Sequence, residues 1–172
     1  MLERLPTDRL SAQNPASPYR FETGTLNAAA IHGVRAAIDY IESLGRGANA
    51  RERIIDAMTG IAAYEHALAA EYHRRVAALP GVRLYGPGFD DRARAPTVSI
   101  TLDGRKAGDV AARLDERGLC VWDGDFYAVR VVEVLGLADR GGLLRTGFSL
   151  YNTREEVDRL LAALEEITRT AA

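Results

Sequence analysis

At 172 residues, with 47% hydrophobic and 27% charged side chains, the chain holds enough apolar material for a core of ordinary size. A formal net charge of −2 gives no basic footprint for nucleic acid or an anionic membrane. No apolar run approaches the roughly 18–20 residues of a membrane span. The single cysteine, Cys120, excludes an internal disulfide, and MLERLPTDRL carries no signal-peptide pattern, so a cytoplasmic setting is expected.

Residues 1–25 carry Pro6, Pro15, Pro18 and Gly24 and no clear period, and read as irregular chain. From Asn27 to Leu44, Ile31, Val34, Ile38 and Ile41 recur at helical spacing, with Asn27 as cap and Gly45 as a left-handed stop. A longer helix is predicted over 48–79, stopped by Pro80-Gly81. Its apolar face is Ile54, Ile55, Met58, Ile61, Ala62, Leu68 and Val76. At ~1.5 Å per residue it would exceed ~40 Å, the length of a helix that links two domains. Beyond it, strands are predicted at Val82–Tyr85, Thr97–Leu102, Leu119–Trp122 and Leu143–Leu150. Helices are predicted at Ala107–Arg117, Tyr127–Leu135 and Thr153–Arg169, the last with a Thr153–Glu156 capping box. Alternating strands and helices predict a two-layer α/β sandwich with helices on one face of the sheet.

Several residues invite a chemical reading. Thr25 follows Gly24 at the start of a helix, which is either a capping turn or an anion site built from a hydroxyl and free backbone N–H groups. Arg145 sits in the apolar strand LLRTGFSL. A buried guanidinium needs a partner, either an internal acid such as Glu133 or Asp158, or a ligand carboxylate taken in bidentate fashion. Cys120, among apolar neighbours, reads as a small buried hydrophobe. His32, His66 and His73 lie on predicted helices without paired acids and read as surface or packing residues rather than metal ligands. Asp123, Asp125, Phe126 and Tyr127 either line a pocket or form a turn and a helix start. Lys106 is the only lysine, which matters because a Schiff base needs an amine and arginine cannot supply one.

Three segments, PYRFETGTLN (18–27), GLCVWDGDFYAV (118–129) and LLRTGFSLYNTREEVDRLLAAL (143–164), together resemble the C-terminal half of class V aminotransferases. The nearest likeness is to cysteine desulfurases of the selenocysteine lyase type. The resemblance implies pyridoxal 5'-phosphate as cofactor, an amino-acid substrate and a homodimer. It implies that Thr25 reaches the cofactor phosphate of the partner subunit, although the family commonly has alanine where Thr23 stands. It also implies that Arg145, ahead of Tyr151-Asn152-Thr153, binds the substrate carboxylate. Asn152 and Thr153 are expected to cap the last helix only. Desulfurases of this type carry RTGHHCA on a loop, and its cysteine attacks the substrate sulfur. Aligning Gly124 and Ala128 on that motif puts Trp122 at its arginine and Tyr127 at its cysteine, so no thiol occupies the reactive position and a persulfide route is not expected.

The fold class expected from the resemblance is α/β: the C-terminal small domain of a fold-type I PLP-dependent transferase, preceded by a long linking helix and a remnant of the large domain. The expected organisation is 1–47 as that remnant with a dimer and cofactor-contact arm, 48–79 as the linking helix, and 80–172 as the small α/β domain. Lys106 lies in a turn of the small-domain part and is given no catalytic role, so the chain alone is expected to bind no cofactor covalently and to be inactive in isolation. The competing reading is a stand-alone, non-catalytic α/β binding or regulatory module.

Overall fold

The structure, a computed structural model, describes residues 2–22, 24–90 and 93–169. The chain divides into two compact units, Met1–Ala57 and Met58–Ala172. Thr23 lies outside the described residues.

In the first unit, residues 2–22 contain two short 3-10 turns, Leu2–Arg4 and Tyr19–Phe21, and are otherwise held by side chains bonding to backbone. The Gln13 amide donates to the carbonyls of Tyr19 at 2.6 Å and Glu22 at 2.8 Å. The Arg20 guanidinium donates to the carbonyls of Glu3 and Leu5, both at 3.3 Å. Backbone outside a helix or sheet ladder has here found polar side-chain partners, as it must where no ladder supplies them. Helix α1, Ala28–Ser43, begins where Asn27 Oδ1 accepts the Ala30 N–H at 3.0 Å. Its expected apolar stripe is not covered: Ile31, Val34 and Ile38 are 55%, 61% and 46% exposed. Gly45 is not left-handed, since the helix ends on a right-handed Leu44. A Cβ at Gly45 would lie 1.9 Å from the Arg53 carbonyl oxygen, so glycine is required there by close backbone approach. An ion pair between Glu42 and Arg53 closes the same turn.

Helix α2, Ala50–Val76, starts with reciprocal caps. Asn49 Oδ1 accepts the Glu52 N–H at 3.0 Å, and Glu52 Oε2 accepts the Ala48 N–H at 2.8 Å. Of its expected apolar face, Leu68 and Val76 are buried, whereas Ile55 and Met58 are exposed. Tyr72, not expected among these, is fully buried.

The second unit contains β1 (Val82–Tyr85), β2 (Thr97–Leu102), α3 (Ala107–Asp115), β3 (Trp122–Gly124), α4 (Val129–Val134), β4 (Leu143–Gly147) and α5 (Arg154–Arg169). The strands form one antiparallel sheet in the order β1-β2-β4-β3. One buried cluster joins Leu68, Tyr72 and Val76 of α2, Val98 and Ile100 of β2, Leu114 of α3, Leu144 of β4, and Val157, Leu161, Leu164 and Ile167 of α5. Strand alternation puts Val98, Ile100 and Leu144 on the helix-covered face and their neighbours Ser99 and Arg145 on the other. The capping box of α5 forms as expected, with Glu156 N–H donating to Thr153 Oγ1 at 3.3 Å and Thr153 N–H to Glu156 Oε2 at 3.0 Å. A hydrogen bond of 3.4 Å between the hydroxyls of Tyr72 and Thr146 lies inside the core, and burial pushes the Tyr72 phenol up to about 12.

One strand is displaced from its expected place. Pairing with β4 begins only at Trp122, so Leu119–Cys120–Val121 is not in the sheet. Leu119 and Val121 still turn inward against the core, and the residue between them turns out. Cys120 is therefore exposed, correcting the expectation of a buried small hydrophobe.

Candidate functional site

On the sheet face opposite the helical core, cross-strand register lines up one row across all four strands. Tyr85 pairs with Ser99, Ser99 with Arg145, and Arg145 with Trp122. Directly opposed residues place their side chains side by side on one face. Arg145 is half-buried there, and Trp122 is 64% exposed. The acids suggested by the sequence as partners are engaged elsewhere: Glu133 pairs with Arg130 at 3.2 Å, and Asp158 with Arg75 at 2.5 Å. Among the described residues no carboxylate forms an ion pair with Arg145.

What Arg145 does touch is an aromatic ring. Its guanidinium carbon lies 4.3 Å from the centroid of Phe126. Phe126 also packs on a second, smaller apolar cluster of Val132, Leu137 and Leu143. The turn that carries it is unusual: Phe126 and Tyr127 are both left-handed, with φ of 53° and 61°. Two successive non-glycine residues in that region are costly, on the order of 1–3 kcal/mol each. Asp125 offsets part of this: its Oδ1 accepts the Tyr127 N–H at 2.8 Å and its carbonyl accepts the Ala128 N–H at 2.7 Å. Tyr127 is left fully exposed.

The four residues Asp123, Asp125, Phe126 and Tyr127 therefore have separate fates. Asp123 pairs in register with Leu144 and approaches the start of α3, where a Cβ at Gly108 would meet its Oδ2 at 3.2 Å. Asp125 builds the turn, Phe126 meets Arg145 and Tyr127 points outward. Tyr85 and Ser99 join Arg145 unannounced by the sequence; the period-two pattern of β1 and β2 was legible, but the register that aligns them was not.

Thr25 is exposed in a bend two residues before the α1 cap, after a left-handed Gly24 with φ of 88°. Lys106 is exposed at the N-cap of α3, with extended backbone and no side-chain capping bond. His66 and His73 pack edge-on against buried Phe89, with ring centroids 5.3 and 5.6 Å away. Burial, then the nearby Arg94, hold the His73 imidazole below its ordinary pKa, with Asp90 acting in the opposite direction. Exposed Cys120 borders a cavity of about 230 Å³ together with Gly147, Asn152 and Arg159.

The model of the aminotransferase class-V family matches residues 7–160. The chain belongs to the class V aminotransferase family. Within it, a curated cysteine desulfurase of Cronobacter sakazakii is 34% identical over 154 residues, a match covering 90% of this chain and 33% of that protein. The apo cysteine desulfurase of Thermococcus onnurineus is similar at a TM-score of 0.73 and 32% identity, over 88% of this chain and 34% of that one. An Escherichia coli cysteine desulfurase, solved as its S-sulfonic acid form, gives a TM-score of 0.65 at 25% identity over 87% of this chain and 32% of that one. The chain thus spans about a third of the length of these relatives. Among the described residues no helix is long and apolar enough to cross a membrane.

Proposed function

We propose that the chain is the C-terminal small α/β domain, with its long leading helix and a remnant of the large domain, of a pyridoxal-phosphate-dependent class V enzyme acting on an amino acid. Arg145 binds the substrate's carboxylate. The observation that carries this reading is a half-buried guanidinium, central in an antiparallel sheet, with no acidic partner among the described residues. A planar fork in that state is suited to a carboxylate, and a charge-assisted bidentate contact contributes roughly 1.5–3 kcal/mol to a ligand.

The donor chemistry present fits part of the cofactor. Thr25 offers an exposed hydroxyl just ahead of a sixteen-residue helix, suited to a phosphate, and we assign it to the cofactor phosphate of the partner subunit in a cytoplasmic homodimer. When bound, the cofactor supplies the electron sink for chemistry at the substrate's α-carbon. Covalent attachment is not supplied by this chain. Lys106 is solvent-exposed at a helix cap, outside any enclosed pocket that could hold a cofactor ring against its amine. The isolated chain is accordingly inactive. Tyr127, exposed where a reactive thiol would stand, argues against release of sulfur through a persulfide.

The deciding experiment is Arg145→Lys in the complete enzyme. It should raise the amino-acid KM about ten-fold or more while moving the melting temperature little, because lysine keeps the charge and loses the fork. A lowered melting temperature with unchanged substrate affinity would sink the assignment. Borohydride treatment of the isolated chain with pyridoxal phosphate should leave Lys106 unmodified by peptide mass mapping.

A further inference from the structure

An arginine that captures a carboxylate must present the edge of its guanidinium, where paired N–H groups point, and not its flat face. A four-bond side chain does not hold that orientation unaided. Among the described residues, Phe126 makes the aromatic contact on the Arg145 guanidinium. Phe126 lies 4.3 Å from the guanidinium carbon, close enough to occupy one face of the plane. Its own position is set from both sides. Behind it, Val132, Leu137 and Leu143 form an apolar backing. Beneath it, two left-handed residues in succession are maintained by the Asp125 carboxylate and carbonyl. A strained turn persists only where its surroundings over-determine it. A right-handed backbone at 126–127 would send the ring elsewhere, so the strain has a visible geometric product.

We propose that Phe126 is a positioning residue acting through Arg145: its ring covers one face of the guanidinium and leaves the N–H edge for the substrate carboxylate. This rests on the carboxylate role of Arg145. It adds that specificity for a planar anion is set by an aromatic residue that never touches the substrate.

The test uses the complete enzyme and L-alanine as probe, read by NMR at the Arg145 Nε–Hε resonance, which Arg145→Lys identifies by its disappearance. Wild type and Phe126→Tyr should show a ring-current displacement of that resonance and a saturable response to L-alanine. Phe126→Leu, which keeps an apolar side chain in the cluster, should abolish the displacement and weaken binding about three- to five-fold at unchanged melting temperature. Asp125→Ala should produce the same loss by releasing the turn while leaving the ring intact. If wild type saturates and both Phe126→Leu and Asp125→Ala bind equally well, the positioning role is overturned and the carboxylate role stands. If wild type and Phe126→Tyr give no saturable response, the carboxylate role fails and the positioning role falls with it.

Discussion

Helices α1 and α5 are both sixteen residues long, both carry an apolar stripe and both begin on a side-chain cap, yet only one stripe is buried. In α5, Val157, Leu160, Leu161 and Leu164 are at most 6% exposed. In α1, Ile31, Val34 and Ile38 are about half or more exposed. The second unit supplies α5 with a sheet and the end of α2 to pack on. The first unit has Ala57 as its single buried residue among those described, and its ties are polar bonds such as those of Gln13, Arg20 and Arg53. An amphipathic period specifies that a face is to be covered, not by what. One unit of this chain satisfies that demand and the other leaves it open.

The largest test of this contrast is truncation inside each stripe. Leu164→Ala, at a fully buried position, should lower unfolding free energy by about 2–5 kcal/mol in urea titrations. Ile38→Ala should stay within ~0.5 kcal/mol of wild type, as a surface change does. Equal losses would mean that the α1 stripe is covered in solution and would break the comparison.

A second test sharpens the picture of the α2–sheet core through pH. The folded-state pKa of Tyr72 is about 12, against an ordinary value of 10.0, so the folded protein holds a proton that the unfolded chain releases. Stability from this group is complete below pH 10 and falls by roughly 1.4 kcal/mol per unit as pH rises toward 12. Tyr72→Phe should flatten that alkaline decline in denaturation curves taken between pH 9 and about 11.5, and a slope identical to wild type would place the hydroxyl in water.

The smallest effect concerns the caps. Thr153→Ala removes one half of the α5 box and should cost about 1 kcal/mol in the main unfolding transition. Asn27→Ala removes a bond of the same kind from α1, but should leave that transition within ~0.5 kcal/mol and speed amide exchange in α1 instead.

Much of this architecture was legible before any coordinates. Strands β1 and β2, the Asn27 cap, the Thr153–Glu156 box and the inward stripe of α5 follow from rules that act within a few residues: alternation, capping and the 3.6-residue period. Arg145 stood out for the same reason, as a charge inside an apolar strand. The misses are equally local in appearance. Leu119-Cys120-Val121 alternates as a strand does, but its inward side chains reach the core without joining the ladder, so β3 begins at Trp122 and Cys120 faces out. Gly45 reads as a left-handed stop, whereas its lack of a side chain serves the passage of the Arg53 carbonyl.

The sequence by itself determined which helices and strands form and that a guanidinium would sit among apolar neighbours. Only the tertiary structure decided what surrounds that guanidinium. Tyr85, Ser99, Arg145 and Trp122 share a row because three separate strand pairings fall into one register, and each pairing joins segments distant in sequence. Phe126 reaches Arg145 because two residues adopt a backbone region that their own propensities oppose, stabilised by Asp125 and by the apolar cluster behind the ring. Local preference, which is all that a short stretch of sequence expresses, points away from that turn, and the packing energy that overrides it exists only once the sheet has formed.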